Sequence, residues 1–193
     1  MRRVFIALAA AGLVAAACGG AGTGAASTAP VAAATTAAPT AQPTPSPQNT
    51  FVFTADLSPA NENPAITDAE ASGSGTATVT ISTAKDSSGK LVGANAKFEI
   101  VLKGFPATTM ITISHIHKGD AKTNGGVVVD SGMKATEPIA LTTGGTSITK
   151  DNLAIADLVL AADILANPGN YYYNVHSVLH PGGVVRGQLK LKA

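Results

Sequence analysis

His115 and His117, in the stretch ISHIHKG, stand two residues apart. The other two histidines of the 193-residue chain, His176 and His180, stand close together near the C-terminus. Neutral imidazole suits zinc, copper and nickel, and three or four nitrogens make a complete site. On an extended strand, residues i and i+2 point to one side, roughly 6.5–7 Å apart. His115 and His117 can therefore converge on a single ion. His176 shares the face of Tyr172 and Asn174 on its own strand, and His180 follows at the turn into HPGGVVRGQ. If the two strands are neighbours, the chemistry to expect is copper or zinc held by His115, His117, His176 and His180. A structural role stands beside it. Ile111 and Ile113 share the face of the first pair by alternation. Rings at the rim of a core can hydrogen-bond to backbone, or to a neighbour such as Asn174, and simply fix strand register.

Other residues that could do chemistry are fewer. Arg186, within VVRGQ, either points outward or pairs with a carboxylate such as Asp130. With Tyr172 and Asn174 it forms a set of ligand-contacting or structural candidates. DAKTNGG has the outline of a calcium loop, but Lys122 occupies a ligand position and the closing glutamate is missing. No serine–histidine–acid spacing stands out. Asp56, Glu62 and Asp68 could pair as acid and base, but nothing in their spacing brings them together, and ANENP reads as a turn. No catalytic residue is assigned. Lys and Arg number 13 against 12 Asp and Glu, with the signs interspersed. There is no basic stripe of the kind that binds nucleic acid.

These residues need a scaffold, and the scaffold reads as period two. GTATVTI sets Ala77, Val79 and Ile81 against Thr76, Thr78 and Thr80. LVGANAKFEIVLK puts Val92, Ala94, Ala96, Phe98, Ile100 and Leu102 on one face, opposite Asn95, Lys97 and Glu99. STAKDSSGK between them is a polar turn, so the two runs predict an antiparallel hairpin. FVFTADL, TMITISHIH, GGVVVD, PIALTT, LAIADLVL, YYYNVHSV and VVRGQLKLK are further extended candidates. Only LAADILANPG reads as partly helical, stopped by Asn167, Pro168 and Gly169. Many short strands with glycine-rich turns predict an all-β fold, an antiparallel sandwich with Greek-key connections.

The N-terminal part is different. Arg2 and Arg3 precede a short apolar run that ends in Ala15, Ala16, Ala17 and Cys18. The run has the length of a signal-peptide core. Small residues before the chain's single cysteine resemble the lipobox of bacterial lipoproteins. That resemblance implies removal of residues 1–17 and lipidation of Cys18, which anchors the chain to the cell-envelope membrane without a spanning helix. Residues 18–50 are rich in Ala, Thr, Pro, Ser and Gly and lack charge, so they cannot offset their ordering entropy by burial. They read as a tether spanning on the order of 30 Å. Residues 51–193 are long enough for one domain with its own core.

Three stretches of that domain carry a resemblance: FTADLSPANENPAI, HIHKGDAKTNGGVVVD and YYYNVHSVLHPGGVVRGQL. They resemble the CHRD domain, a module named for the extracellular protein chordin and found also in secreted microbial proteins. The resemblance implies a secreted, immunoglobulin-like β-sandwich. The expected function is an extracytoplasmic, lipid-anchored binding or adhesion module with an extracellular or envelope partner. The alternative is a histidine-based copper or zinc protein. A His-x-His pair on a sandwich strand loosely resembles copper–zinc superoxide dismutase in local pattern alone.

Overall fold

The computed structural model describes residues 49–192. The signal-like segment, Cys18 and nearly all of the tether lie outside the described residues. The first sheet contains β1 (Asn49–Leu57), β2 (Ser74–Lys85), β3 (Leu91–Lys103), β7 (Thr146–Ala154) and β10 (Lys190–Leu191), in the order β10-β1-β2-β3-β7. The second contains β4 (Met110–Lys118), β5 (Val127–Asp130), β8 (Tyr171–Ser177) and β9 (Val185–Gln188), in the order β5-β4-β8-β9, with β6 (Ile139–Ala140) also paired to β4. Every pairing is antiparallel. The two sheets share one apolar core, where Phe98 of β3 meets Tyr173 of β8 with ring centres 5.5 Å apart. The molecule is the expected all-β sandwich with one short α-helix.

Alternation places the core as expected. Ala77, Val79 and Ile81 are buried, as are Ala94, Ala96, Phe98, Ile100 and Leu102. The β2–β3 turn is built by Asp86, whose Oδ1 accepts from the backbone N–H groups of Ser88 and Lys90. Val92 departs from its run and is 52% exposed. The ladder shifts register at that end, where Lys85 faces Leu91, and the bulge carries Val92 out of the alternation. Phe98→Ala should cost about 3–5 kcal/mol, and Ile100→Ala about 2–5 kcal/mol, through lost transfer energy and a cavity. On the other face, Lys97 and Glu99 form a surface pair, and Glu99→Ala should stay within about 0.5 kcal/mol. Urea unfolding of the three variants checks the facing assignment, which fails if Glu99→Ala matches Phe98→Ala.

Two local expectations are corrected. LAIADLVL is not a strand. β7 runs earlier, through TSITKDNLA, and α1 (Leu158–Ala166) starts inside the supposed strand. The reason is Asp157, whose side chain accepts from the N–H groups of Val159 and Leu160 and so caps the helix. VVRGQLKLK is not one strand either. β9 belongs to the second sheet and β10 to the first, with buried Leu189 at the crossing.

Candidate metal centre

Every residue of β8 is buried, because the strand has a core on one face and a lid on the other. Tyr171, Tyr173 and Val175 enter the apolar core. Tyr172, Asn174 and His176 face the opposite way. β4 lies beside β8 with His115 opposite Asn174 and His117 opposite Tyr172. On the other side of β8, Arg186 stands opposite Asn174. The outer face of this sheet is therefore a polar layer, covered by the segment after β1 and by the loop between β4 and β5. Ile111 does not share it. A register shift between Ile111 and Ser114 turns Ile111 into the core.

Within this layer the three imidazoles of His115, His117 and His176 meet. Their ring centres are 5.1, 5.6 and 5.9 Å apart. One nitrogen of each lies within 4.8 Å of the others. His117 Nδ1 is 3.0 Å from the Gly125 carbonyl oxygen, and His176 Nδ1 is 2.9 Å from that of Pro181. A carbonyl only accepts, so both Nδ1 atoms carry the proton and both Nε2 atoms are bare. His117 Nε2 is buried and has no hydrogen-bond partner among the described residues. His176 Nε2 is 3.3 Å from His115 Nδ1. The remaining nitrogen of His115, Nε2, is 3.7 Å from Asp130 Oδ2. Each ring thus has one nitrogen directed at a backbone carbonyl or a carboxylate and the other directed inward. That is the arrangement in which outer partners orient metal-ligating histidines. Two nitrogens bound tetrahedrally at 2.0–2.1 Å lie about 3.3–3.4 Å apart, so the closest pair needs almost no movement.

Burial also keeps the rings neutral. Desolvation lowers the pKa of His115 and His117 below the ordinary histidine value, and that of His176 to about 4. Neutral imidazole is the ligating form.

The other candidates fall around this cluster. Tyr172 stacks on His117, with ring centres 4.9 Å apart and planes 6° from parallel. Its hydroxyl accepts from the Gly125 N–H at 3.2 Å, so Tyr172 and Gly125 together fix the ring of His117. Gly125 has to be glycine, because a Cβ there would overlap the Lys118 carbonyl. Arg186 neither points outward nor pairs with Asp130. It is 1% exposed and donates to the carbonyls of Asn61, Ala121 and Thr123 and to Asn124 Oδ1. Its guanidinium carbon lies 4.6 Å from the centre of the Tyr172 ring. Arg186 opposes charge on His117 through the intervening ring and clamps both lid segments. The DAKTNGG loop serves as part of this lid, with Asp120 Oδ1 accepting from the Lys122 N–H and the Thr123 hydroxyl.

His180 is not brought to the cluster. Its Nε2 lies 2.9 Å from Asp68 Oδ2 and 3.8 Å from Glu70 Oε2, tying the β8–β9 loop to the segment before β2. Asn174 does not hydrogen-bond the histidines; the Gly125 and Pro181 carbonyls do. Asn174 Oδ1 is instead buried without a partner, and so is Glu62 Oε1. Burial raises the Glu62 pKa to about 7, against the lowering effect of the Arg186 charge. Glu62 is the residue that sequence reasoning placed in an ordinary turn. The turn is there, at Pro59–Asn61, but its position over β8 is a long-range fact that local spacing does not carry.

Neither the curated proteins nor the solved structures hold a match to this chain. The family model of the CHRD domain matches residues 53–189. That span runs from β1 through β9 and includes all three converging histidines, Tyr172, Asn174 and Arg186. With most of its length matched in this way, the chain belongs to the CHRD domain family.

Proposed function

We propose that this domain is an extracytoplasmic metal-binding module that holds one copper or zinc ion through His115, His117 and His176. The observation that carries the reading is the bare, buried Nε2 of His117 turned toward two other imidazoles. A purely structural histidine network gives every buried nitrogen a partner, since an orphan costs about 1–3 kcal/mol. A metal ion supplies the missing partner to His117 and takes the place of the 3.3 Å contact between His115 and His176. The test is elemental analysis of the full chain purified without a metal-affinity tag. About one equivalent of copper or zinc is expected per chain, and His117→Ala should remove it. Equal metal content in both proteins would sink the reading.

A binding or adhesion role is the second reading. It is supported by the extracellular setting implied for the family and by Val178 and Leu179. These form an exposed apolar pair on the β8–β9 loop, 62% and 58% exposed. Membrane display is proposed from sequence alone. The mature chain should begin at an acylated Cys18, and Cys18→Ser should release it from membranes or leave it unprocessed. Mass spectrometry of the mature N-terminus decides this; an unmodified terminus elsewhere removes the anchor.

A further inference from the structure

α1, LVLAADILA, breaks the pattern of a surface helix, because Asp163 is its single charged residue. Ala161 and Ile164 are buried against the core. The most exposed stripe is Val159, Ala162 and Ala166, at the i, i+3, i+7 spacing of one helix face. Val159 is 81% exposed. On a 3.6-residue turn Leu165 falls to one side of that stripe and Asp163 to the other. Asp163 is tied to the sheet, since its carboxylate receives the Tyr171 hydroxyl, the Lys118 ammonium and the Asn167 amide. A surface helix ordinarily turns charged and polar groups to water, and an apolar stripe in their place marks a contact surface. On the Leu165 side runs an open groove of about 410 Å³, with an apolar wall of Phe51, Leu91, Ala162, Leu165 and Ala166. Lys85 also lines it, and Lys90 precedes Leu91 across the β2–β3 turn. Asp86, in that turn, directs its Oδ1 to the N–H groups of Ser88 and Lys90.

The entry point of the chain indicates what covers this face. The described residues begin at Asn49, whose carbonyl accepts from Thr83 Oγ1 at 3.2 Å. Thr83 and Phe51 both line the groove, so the segment leading back to Cys18 joins the domain at the groove's edge. Resting on the membrane display read from Cys18, we propose that α1 and this groove dock on the lipid bilayer that carries the anchor. With 9 residues α1 is about 14 Å long, so it lies in the membrane surface and does not cross it. Val159 and the groove wall bury against the upper acyl chains, while Lys85 and Lys90 at the border reach headgroup phosphates. The contact is small, and alone it binds weakly. A tether spanning on the order of 30 Å keeps the lipid at high effective concentration, so a weak contact is enough.

The experiment uses the full mature chain, anchored in vesicles of phosphatidylcholine and phosphatidylglycerol. Cys18 is the single cysteine, so once it is acylated a new thiol can be labelled alone. An environment-sensitive dye is attached through Val159→Cys or, for comparison, through Val178→Cys. Asp163 of α1 touches Tyr171, the first residue of β8, and Val178 follows the last, so the two labels sit toward opposite ends of that strand. Lipids carrying a quencher in the upper acyl chain should quench the dye at position 159 and spare the dye at position 178. Adding Ala162→Glu to the first variant should lower the docked-to-undocked ratio about tenfold or more, because a carboxylate then enters the acyl region. All three positions are exposed, so the fold tolerates the changes. Equal quenching at both labels, or none at either, overturns the docking and leaves the anchor intact. Self-quenching of the dye at position 159 that ignores the lipid quencher gives the face to a second copy of this chain and also overturns the docking. An unacylated mature terminus overturns the anchor. The dye at position 159 is then read on the free mature chain over concentrated vesicles, where quenching upholds the docking and its absence overturns that too.

Discussion

Arg186→Ala should be among the most destabilising single substitutions in this domain, by about 3–5 kcal/mol in chemical denaturation. The guanidinium is enclosed, and its donors go to one acceptor on Asn61 and to three on Ala121, Thr123 and Asn124. Those acceptors belong to the two segments that cover the outer face of the second sheet. Removing the side chain takes the donors from four partly buried acceptors that join the two cover segments and opens a void beside Tyr172. Arg186→Lys should recover only part of the loss, because one ammonium cannot reach four acceptors arranged around a planar fork. The loss should also be local. Amide exchange should quicken first in residues 119–126 and around Glu62, before the β2–β3 hairpin is affected. Since Gly125 in that loop holds His117 Nδ1, metal affinity should fall by about 10–100-fold even where the protein stays folded. A loss under about 1 kcal/mol would mean that the lid is held by something other than this clamp.

Arg186 also shows where sequence reasoning reached its limit. Its neighbours alternate, so an outward-pointing arginine is the natural reading of VVRGQ. The direction is right, but outward here means into a second buried layer. Nothing in the pattern of YYYNVHS separates a strand covered on both faces from one covered on one, because the cover comes from residues more than forty positions away. The meeting of His115, His117 and His176 was legible, since it required only alternation within two strands and their pairing. The exclusion of His180 was not. It follows from a turn at Pro181–Gly183 and from the carboxylates of Asp68 and Glu70, which draw the ring to another segment. Asn174 was a candidate by alternation on its strand, whereas the approach of Glu62 to it at Gly183 is a long-range meeting of three chain segments that local spacing does not carry. The sandwich itself was readable from hydrophobic period. Its errors at Val92, Ile111 and Leu158 sit where a bulge or a cap resets the period, and the one in VVRGQLKLK sits where the chain crosses from one sheet to the other at Leu189.

One equivalent of copper or zinc should raise the thermal midpoint of the full chain at pH 7.5 by about 10 °C or more when free metal exceeds the dissociation constant about a thousandfold. On the proposed reading an ion would bind the folded protein through three preoriented rings and find no comparable site in the unfolded chain, so its binding energy would appear as stability. His117→Ala should remove the increment. The increment should also collapse as pH falls from 7 toward 4.5, because each ring must lose its proton to ligate. The metal-free protein sets the baseline. All three rings have folded-state pKa values below the ordinary 6.5 through burial, His176 near 4. A depressed histidine pKa means the fold prefers the neutral ring. That contribution is fully present above about pH 6.5 and is lost as pH drops through 6.5 toward the folded values. Glu62 pulls the other way. Its pKa is raised from 4.5 to about 7, so its contribution is present below 4.5 and is lost as pH rises through 7. Three groups act against one, so the metal-free midpoint should decline gently on acidification while that of the loaded protein declines steeply. The two should meet near pH 4.5, and differential scanning calorimetry at several pH values reads both curves. A metal increment that survived undiminished at pH 4.5 would place the ion on carboxylates and not on these imidazoles.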